Sequence, residues 1–270
     1  IGAWDVSKVK SMNHVFRYAS QFNQSLGTWD VSRVTSMAHL FGGASQFNKN
    51  VSAWDVSRVT GMFGLFEDAS HYNQPLQTWD VSKVTSVGAM FKFSLNFNQP
   101  LGNWDVSRVT KMSWMFQGSE FNQPLETWDV GQVTEMTAMF TGTPFNHPIG
   151  AWQVHRVKSM RNMFKDASNF NQPLETWDVS RVTELRQAFM GATQFNQPLG
   201  GWNVSQVTNS WGIFKDASNF DQGKFCGASW VNFKATLGIR DTFDGVINGG
   251  ISDETDTCNC TCINGTAATG

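Results

Sequence analysis

Apolar and polar positions recur in a fixed order along the first 222 residues. One unit shows the pattern: Phe97, Leu101, Trp104, Val106, Val109, Met112, Met115 and Phe116 are apolar, and Asn98, Gln99, Asp105, Ser107, Arg108 and Thr110 between them are polar. Trp104 and Val106 flank Asp105, the period-two alternation of an extended segment with one buried side. Met112, Met115 and Phe116 are spaced i, i+3, i+4, one face of about one helical turn. Thr110 just before them suits a helix N-cap. In Phe97-Asn98-Gln99-Pro100-Leu101, proline fixes its own φ and biases the preceding residue toward extended geometry. Each unit therefore predicts a short extended segment, a corner, and a short helix or 3-10 turn.

The unit repeats on its tryptophans: Trp4, Trp29, Trp54, Trp79, Trp104, Trp128, Trp152, Trp177 and Trp202. Their spacing is 25 residues, falling to 24 twice, because Phe116–Phe121 and Phe140–Phe145 are one residue shorter than Phe91–Phe97. A repeat this short cannot bury a core alone and must stack on its neighbours. The fold predicted is an α/β repeat solenoid with one short parallel strand and one short helix or 3-10 turn per repeat. Residues 1–222 are expected to hold nine units. Residues 223–251 would form a C-terminal cap, in which Phe225, Trp230, Val231, Phe233 and Leu237 cover the last core face. Residues 252–270 would be a cysteine-containing polar tail or linker.

Stacking turns each repeat position into a column. The Trp column (Trp29, Trp54, Trp79, Trp104, Trp128 and its equivalents) reads as a core spine framed by Leu and Val, in preference to a sugar-binding strip. The column of Phe22, Phe47, Tyr72, Phe97 and Phe121 reads as core. The Asn that follows it (Asn23, Asn48, Asn73, Asn98, Asn122) suits a ladder satisfying backbone groups at a tight corner, with ligand binding as the lesser reading. Asp30, Asp55, Asp80 and Asp105 would repel when stacked unless paired. Arg33, Arg58 and Arg108 follow three residues later and suggest an interleaved acid–base ladder, with Asp129 compensated by Arg156 across coils. Asp as a turn cap is the main rival, and a calcium ladder is opposed by the bases.

Composition narrows the classes. Twelve Trp and 22 Phe against 2 Tyr fit a few residues copied many times. Charged residues are 16% and net charge is −2 with no basic run, which argues against nucleic acid as a partner. No apolar stretch is long enough to insert into a membrane, and no cofactor is called for. The chain begins inside a repeat, so it reads as a fragment. All four cysteines lie near the C-terminal end: Cys226, Cys258, Cys260 and Cys262. Disulfides are expected. Three connectivities are open, and the strain of a Cys-x-Cys bond favours Cys226–Cys260 with Cys258–Cys262. A zinc site is the rival, with no His close by in sequence. Asn50, Asn203, Asn259 and Asn264 are glycosylation acceptors by motif, which together with the cysteines suggests an extracellular or cell-surface location.

The run Phe-Asn-Gln-Pro-Leu-x-x-Trp-Asp-Val-Ser-x-Val-Thr-x-Met-x-x-Met-Phe at 97–116 resembles a bacterial surface-protein repeat of 25 to 26 residues, grouped with BspA-like leucine-rich-repeat proteins. The resemblance covers about 80% of the chain by the extent of the Trp units. It implies a right-handed, leucine-rich-repeat-like coil on secreted or surface-anchored proteins, with roles in adhesion or display. It carries no catalytic residues over. Gln153, Asn203 and Ser210 depart from the pattern.

Two functional classes follow. One is a non-catalytic structural or assembly protein, a rod packed into a surface filament or matrix, with itself or other matrix proteins as partners. The other is an adhesin or recognition module binding a protein or glycan along one face. An enzyme is disfavoured, because nearly every carboxylate and His sits in a repeated slot or alone. A structural rod should present contacts on two opposite surfaces and a recognition module one irregular patch. Phe63, Phe93, Trp114 and Trp211 are aromatics outside the regular columns, and their placement discriminates.

Overall fold

The structure, a computed structural model, describes residues 1–221. Coils are numbered here as coil 1 (1–25), coil 2 (26–50), coil 3 (51–75), coil 4 (76–100), coil 5 (101–124), coil 6 (125–148), coil 7 (149–173), coil 8 (174–198) and coil 9 (199–221). The backbone of each coil is a chain of tight turns. In coil 2, Trp29 N–H donates to Leu26 O, Val34 to Val31, Leu40 to Met37, Ala44 to Phe41 and Phe47 to Ala44, at 2.8–3.1 Å. Every one of these bonds spans three residues.

The remaining backbone groups bond along the stack. N–H groups of Met37, His39, Phe41 and Gly43 donate to the carbonyls of Gly61, Phe63, Leu65 and Glu67 in coil 3, at 2.7–3.0 Å. Coil 3 returns bonds from Thr60 N–H to Thr35 O at 2.9 Å and from His71 N–H to Ser45 O at 3.1 Å. The same exchange recurs along the stack, save that the bond of the His71 type is missing at Pro144 and Asn169, so most backbone polar groups left over from the turns are satisfied between coils.

The expected α/β architecture does not form. Among the described residues there is no helix and no named strand, and parallel pairing shrinks to one bridge per step, from Ser11 with Ser36 through Glu184 with Asn209. A right-handed leucine-rich-repeat-like coil with a strand and a helix per repeat is thereby overturned. The reason lies in the Met-x-x-Met-Phe run. A helix needs each N–H to reach four residues back, whereas here alternate N–H groups are committed to the next coil. Each such run also places two residues at positive φ, four apart: His39 (51°) and Gly43 (74°) in coil 2, Ala89 (52°) and Phe93 (55°) in coil 4. A right-handed helix excludes that backbone. The spacing i, i+3, i+4 still marks which side chains are buried, since Met37, Leu40 and Phe41 are fully inside.

The interior is one continuous core from Val6 to Phe220. Three aromatic columns run through it, one of Trp and two of Phe, the second including Tyr72. Phe91 and Phe97 of coil 4 stack at 3.7 Å, and each meets its counterpart in coil 5 at 5.9–6.2 Å. The expected cap (223–251), the tail (252–270), all four cysteines, Asn259 and Asn264 lie outside the described residues.

Candidate recognition edge

The columns show what each repeated polar residue does. Trp54, Trp79, Trp104 and Trp128 are buried, and their indole N–H groups donate to the carbonyls of Leu26, Val51, Leu76 and Leu101 in the preceding coil at 3.0–3.1 Å. Trp29 donates to Ile1 O at 3.3 Å. Asn23 Oδ1 accepts the N–H of Asn48, and the relay continues through Asn73, Asn98 and Asn122 at 2.9–3.1 Å.

The Asp column behaves otherwise than an acid–base ladder. Oδ1 of Asp30, Asp55, Asp80 and Asp105 accepts the backbone N–H of the serine two residues on, each at 3.0 Å. Among the described residues no ion pair joins these carboxylates to Arg33, Arg58 or Arg108, all of which are exposed. Serine hydroxyl and then serine N–H hold the Asp carboxyls below their usual range, and the neighbouring Arg adds little. A local Asp-x-Ser turn satisfies the carboxylate more cheaply than ordering two long side chains. Arg156 turns to Gln132 Oε1 at 2.6 Å instead of to Asp129, whose Oδ1 takes Gly131 N–H. Asn203 keeps the turn, accepting Ser205 N–H at 3.1 Å, and Asn50 accepts Ser52 N–H at 2.8 Å. Both are exposed.

One run in each coil departs from this regularity. It spans 13–20 in coil 1, 63–70 in coil 3, 88–95 in coil 4, 113–119 in coil 5 and 211–218 in coil 9. It contains the two positive-φ residues, which differ from coil to coil: His14 and Tyr18, Gly64 and Asp68, Trp114 and Gly118, Gln187 and Gly191. None of the eighteen positive-φ positions holds Val, Ile or Thr, whose branched Cβ fits that backbone worst. Apart from Ile1 and Trp4 in coil 1, the large exposed apolar residues are Val15, Tyr18, Phe63, Phe93, Leu95, Trp114 and Trp211, and all fall within this run. Sequence reading singled out four of them but could not align them on one edge. It passed over Val15, Tyr18 and Leu95 altogether.

These rings are seated by small neighbours one coil on. A Cβ on Gly43 would come within 2.6 Å of the Tyr18 ring, and one on Gly118 within 2.5 Å of Phe93; Phe63 lies 3.0 Å from where a Cβ of Gly88 would stand. Cations sit on three of the rings: Arg17 over Tyr18 at 4.6 Å, Lys92 near Phe93 at 5.3 Å and Arg186 over Trp211 at 5.0 Å. A charge cluster adjoins them. His39 stacks on His14 at 5.1 Å and meets Phe63 edge-on at 5.2 Å. Its Nδ1 lies 3.1 Å from Glu67 Oε2, and Lys92 Nζ lies 2.9 Å from Glu67 Oε1. Burial, ahead of any charge, holds the His39 ring below its usual pKa, and burial pushes Asp68 up.

Among the described residues no group of three His, Cys, Asp or Glu is placed to hold a metal ion, and no helix is long and apolar enough to cross a membrane. No curated protein matches the chain. The family described as "Mycoplasma protein of unknown function, DUF285" matches residues 1–99, 54–147, 75–167 and 142–246. The match does not extend to the BspA-like name that the repeat resembles. Its overlapping segments are those of a repeat family, together they span most of the sequence, and the chain belongs to this DUF285 family.

Proposed function

We propose that the stack is a non-catalytic recognition element of an extracellular or surface-displayed protein, reading a partner along the turn edge. The observation that carries this is the confinement of the exposed apolar residues of coils 2–9 to one run of each coil, with Phe63, Phe93, Trp114 and Trp211 between 37% and 41% exposed. Rings on a rigid backbone offer large contact area at low entropic cost, and flanking cations add polar anchoring. Repeat stacks present such elongated surfaces because every coil holds its neighbour in register. A rod packed side by side into a filament needs contacts on two opposed surfaces, which this one-edged distribution does not favour.

The test is a triple variant, Phe63→Ala, Phe93→Ala, Trp114→Ala, compared with the parent on immobilised extracellular-matrix proteins and on a glycan array. Thermal unfolding and sedimentation velocity serve as controls. Recognition through the edge predicts at least a tenfold loss of the strongest binding signal with the folded monomer retained. Undiminished binding by the triple variant would sink the reading. Concentration-dependent polymers that the substitutions abolish would return the assembly reading to first place.

A further inference from the structure

We infer a second binding site, for a neutral glycan chain, at the corner where coils 5 to 8 meet. Its basis is a fault in the backbone ladder. At this corner each coil donates one N–H to the coil before it: Gln46 to Ser20 O, His71 to Ser45 O, Asn96 to Ser70 O and Glu120 to Leu95 O, at 3.0–3.2 Å. The series stops for two coils and resumes with Gln194 to Ser168 O and Asn219 to Thr193 O. The first missing rung has a covalent cause, since Pro144 occupies the donor position and has no N–H. The second falls at Asn169. Coils 5 and 6 are also the two shortened by one residue, which deletes the small turn that other coils carry here.

At the fault lies a cleft of about 420 Å³ lined by Asn122, Pro144, Asn146, Asn169, Asn171 and Gln194. Five of the six are amides, and none is charged. The orientation of the ladder amides is fixed from behind. Asn122 Oδ1 takes Asn146 N–H at 3.0 Å, and Asn146 Oδ1 takes Asn171 N–H at 2.9 Å and Gln172 Nε2 at 3.0 Å. With each oxygen committed, each Nδ2 remains, and those of Asn122, Asn146 and Asn171 donate to nothing among the described residues. Of the eight ladder asparagines, Asn146 alone is exposed, and it sits at the fault.

The cleft is therefore a line of paired N–H donors, one pair per coil, without charge and with little apolar surface. An apolar ligand gains nothing there, and an ion meets no counter-charge. A chain of hydroxyl and ring oxygens, each an acceptor at a regular interval, matches the line and brings its own hydrogen-bonding capacity. The site lies outside the aromatic run and stands whether or not that edge binds a partner.

The experiment is two-dimensional ¹H–¹⁵N NMR of the whole chain, following the side-chain NH₂ signals of Asn122, Asn146 and Asn171. The probes are cellotetraose, laminaritetraose, chitotetraose and mannotetraose, each raised to about 10 mM, the range of weak binding. Shifts at these three amides with at least one sugar are the expected result. Asn146→Asp keeps the acceptor and removes both donors, a change already present in the ladder at Asp221, whose N–H bonds Asn196 Oδ1 at 3.1 Å. Pro144→Gln restores a backbone N–H and a side chain at the fault. Each should weaken binding about tenfold, the loss of one or two hydrogen bonds. No shift with any sugar overturns the inference. So do shifts confined to the Trp114 and Trp211 indoles, or tighter binding of polyglutamate than of every sugar.

Discussion

The inner columns and the turn edge share one backbone and obey opposite rules. Inside, every coil repeats the same side chain: Trp54, Trp79, Trp104 and Trp128 make the same hydrogen bond to the same carbonyl. At the edge the backbone also repeats, down to two positive-φ residues per coil, yet the residues there run from Gly to Trp. The core fixes where each coil stacks, and the edge is then free to vary, with a glycine one coil on making room for the rings of Tyr18, Phe63 and Phe93. That separation lets a repeat protein carry an irregular surface on a regular frame.

The largest effect should come from the core. Trp104→Ala removes a buried ring and its indole bond to Leu76 O, which keeps only the Trp79 N–H, and should cost about 3–5 kcal/mol in chemical denaturation. Trp4→Ala, 57% exposed at the first coil, should cost under about 1 kcal/mol. Equal costs would break the contrast, because stability would then not scale with stacking on both sides.

The edge should show a smaller, coupled effect. Gly43→Ala forces a Cβ onto positive φ and into the Tyr18 ring, at about 1–3 kcal/mol. Adding Tyr18→Ala should recover the steric share and leave the backbone share of about 1 kcal/mol. Additive losses in that double-mutant cycle would show that ring and glycine are not partners.

The smallest effect tests a lapse within the core. Tyr72 stands in a Phe column, fully buried, with a hydroxyl that has no partner among the described residues and whose ionisation burial pushes well up. Tyr72→Phe should therefore stabilise by about 1 kcal/mol. A destabilised variant would mean that the hydroxyl is satisfied after all.

The repeat, the buried columns and the Asn ladder were legible because they are carried by identity: the same residue at the same interval. The turn edge was not, because backbone conformation there is carried by tolerance. Only six of its positive-φ positions are Gly, and the other twelve are residues as different as Ala89, Phe93 and Asp166, so no glycine signal stands out. Burial at i, i+3 and i+4 then imitated a helix. The acid–base ladder was a misjudgement of range. Asp-Val-Ser already contained its own solution two residues away, and the basic residue three away was the more conspicuous partner but the weaker one. The cleft at coils 5 to 8 was visible as two one-residue deletions and a proline, but their meeting in space was not.

The inter-coil bonds also give the stack a direction. At Met37, His39, Phe41 and Gly43, N–H groups all point toward the following coil, while those of Thr60, His71 and Asn73 point back. A peptide unit carries a dipole of about 3.5 D, so more units align than oppose. In each coil the aligned positive ends lie toward the C-terminal neighbour, the reverse of an α-helix. Each described coil is thus an electrical vector as well as a scaffold, and its two faces toward neighbouring coils are unlike. A long ligand laid along either surface meets a gradient and should settle in one orientation.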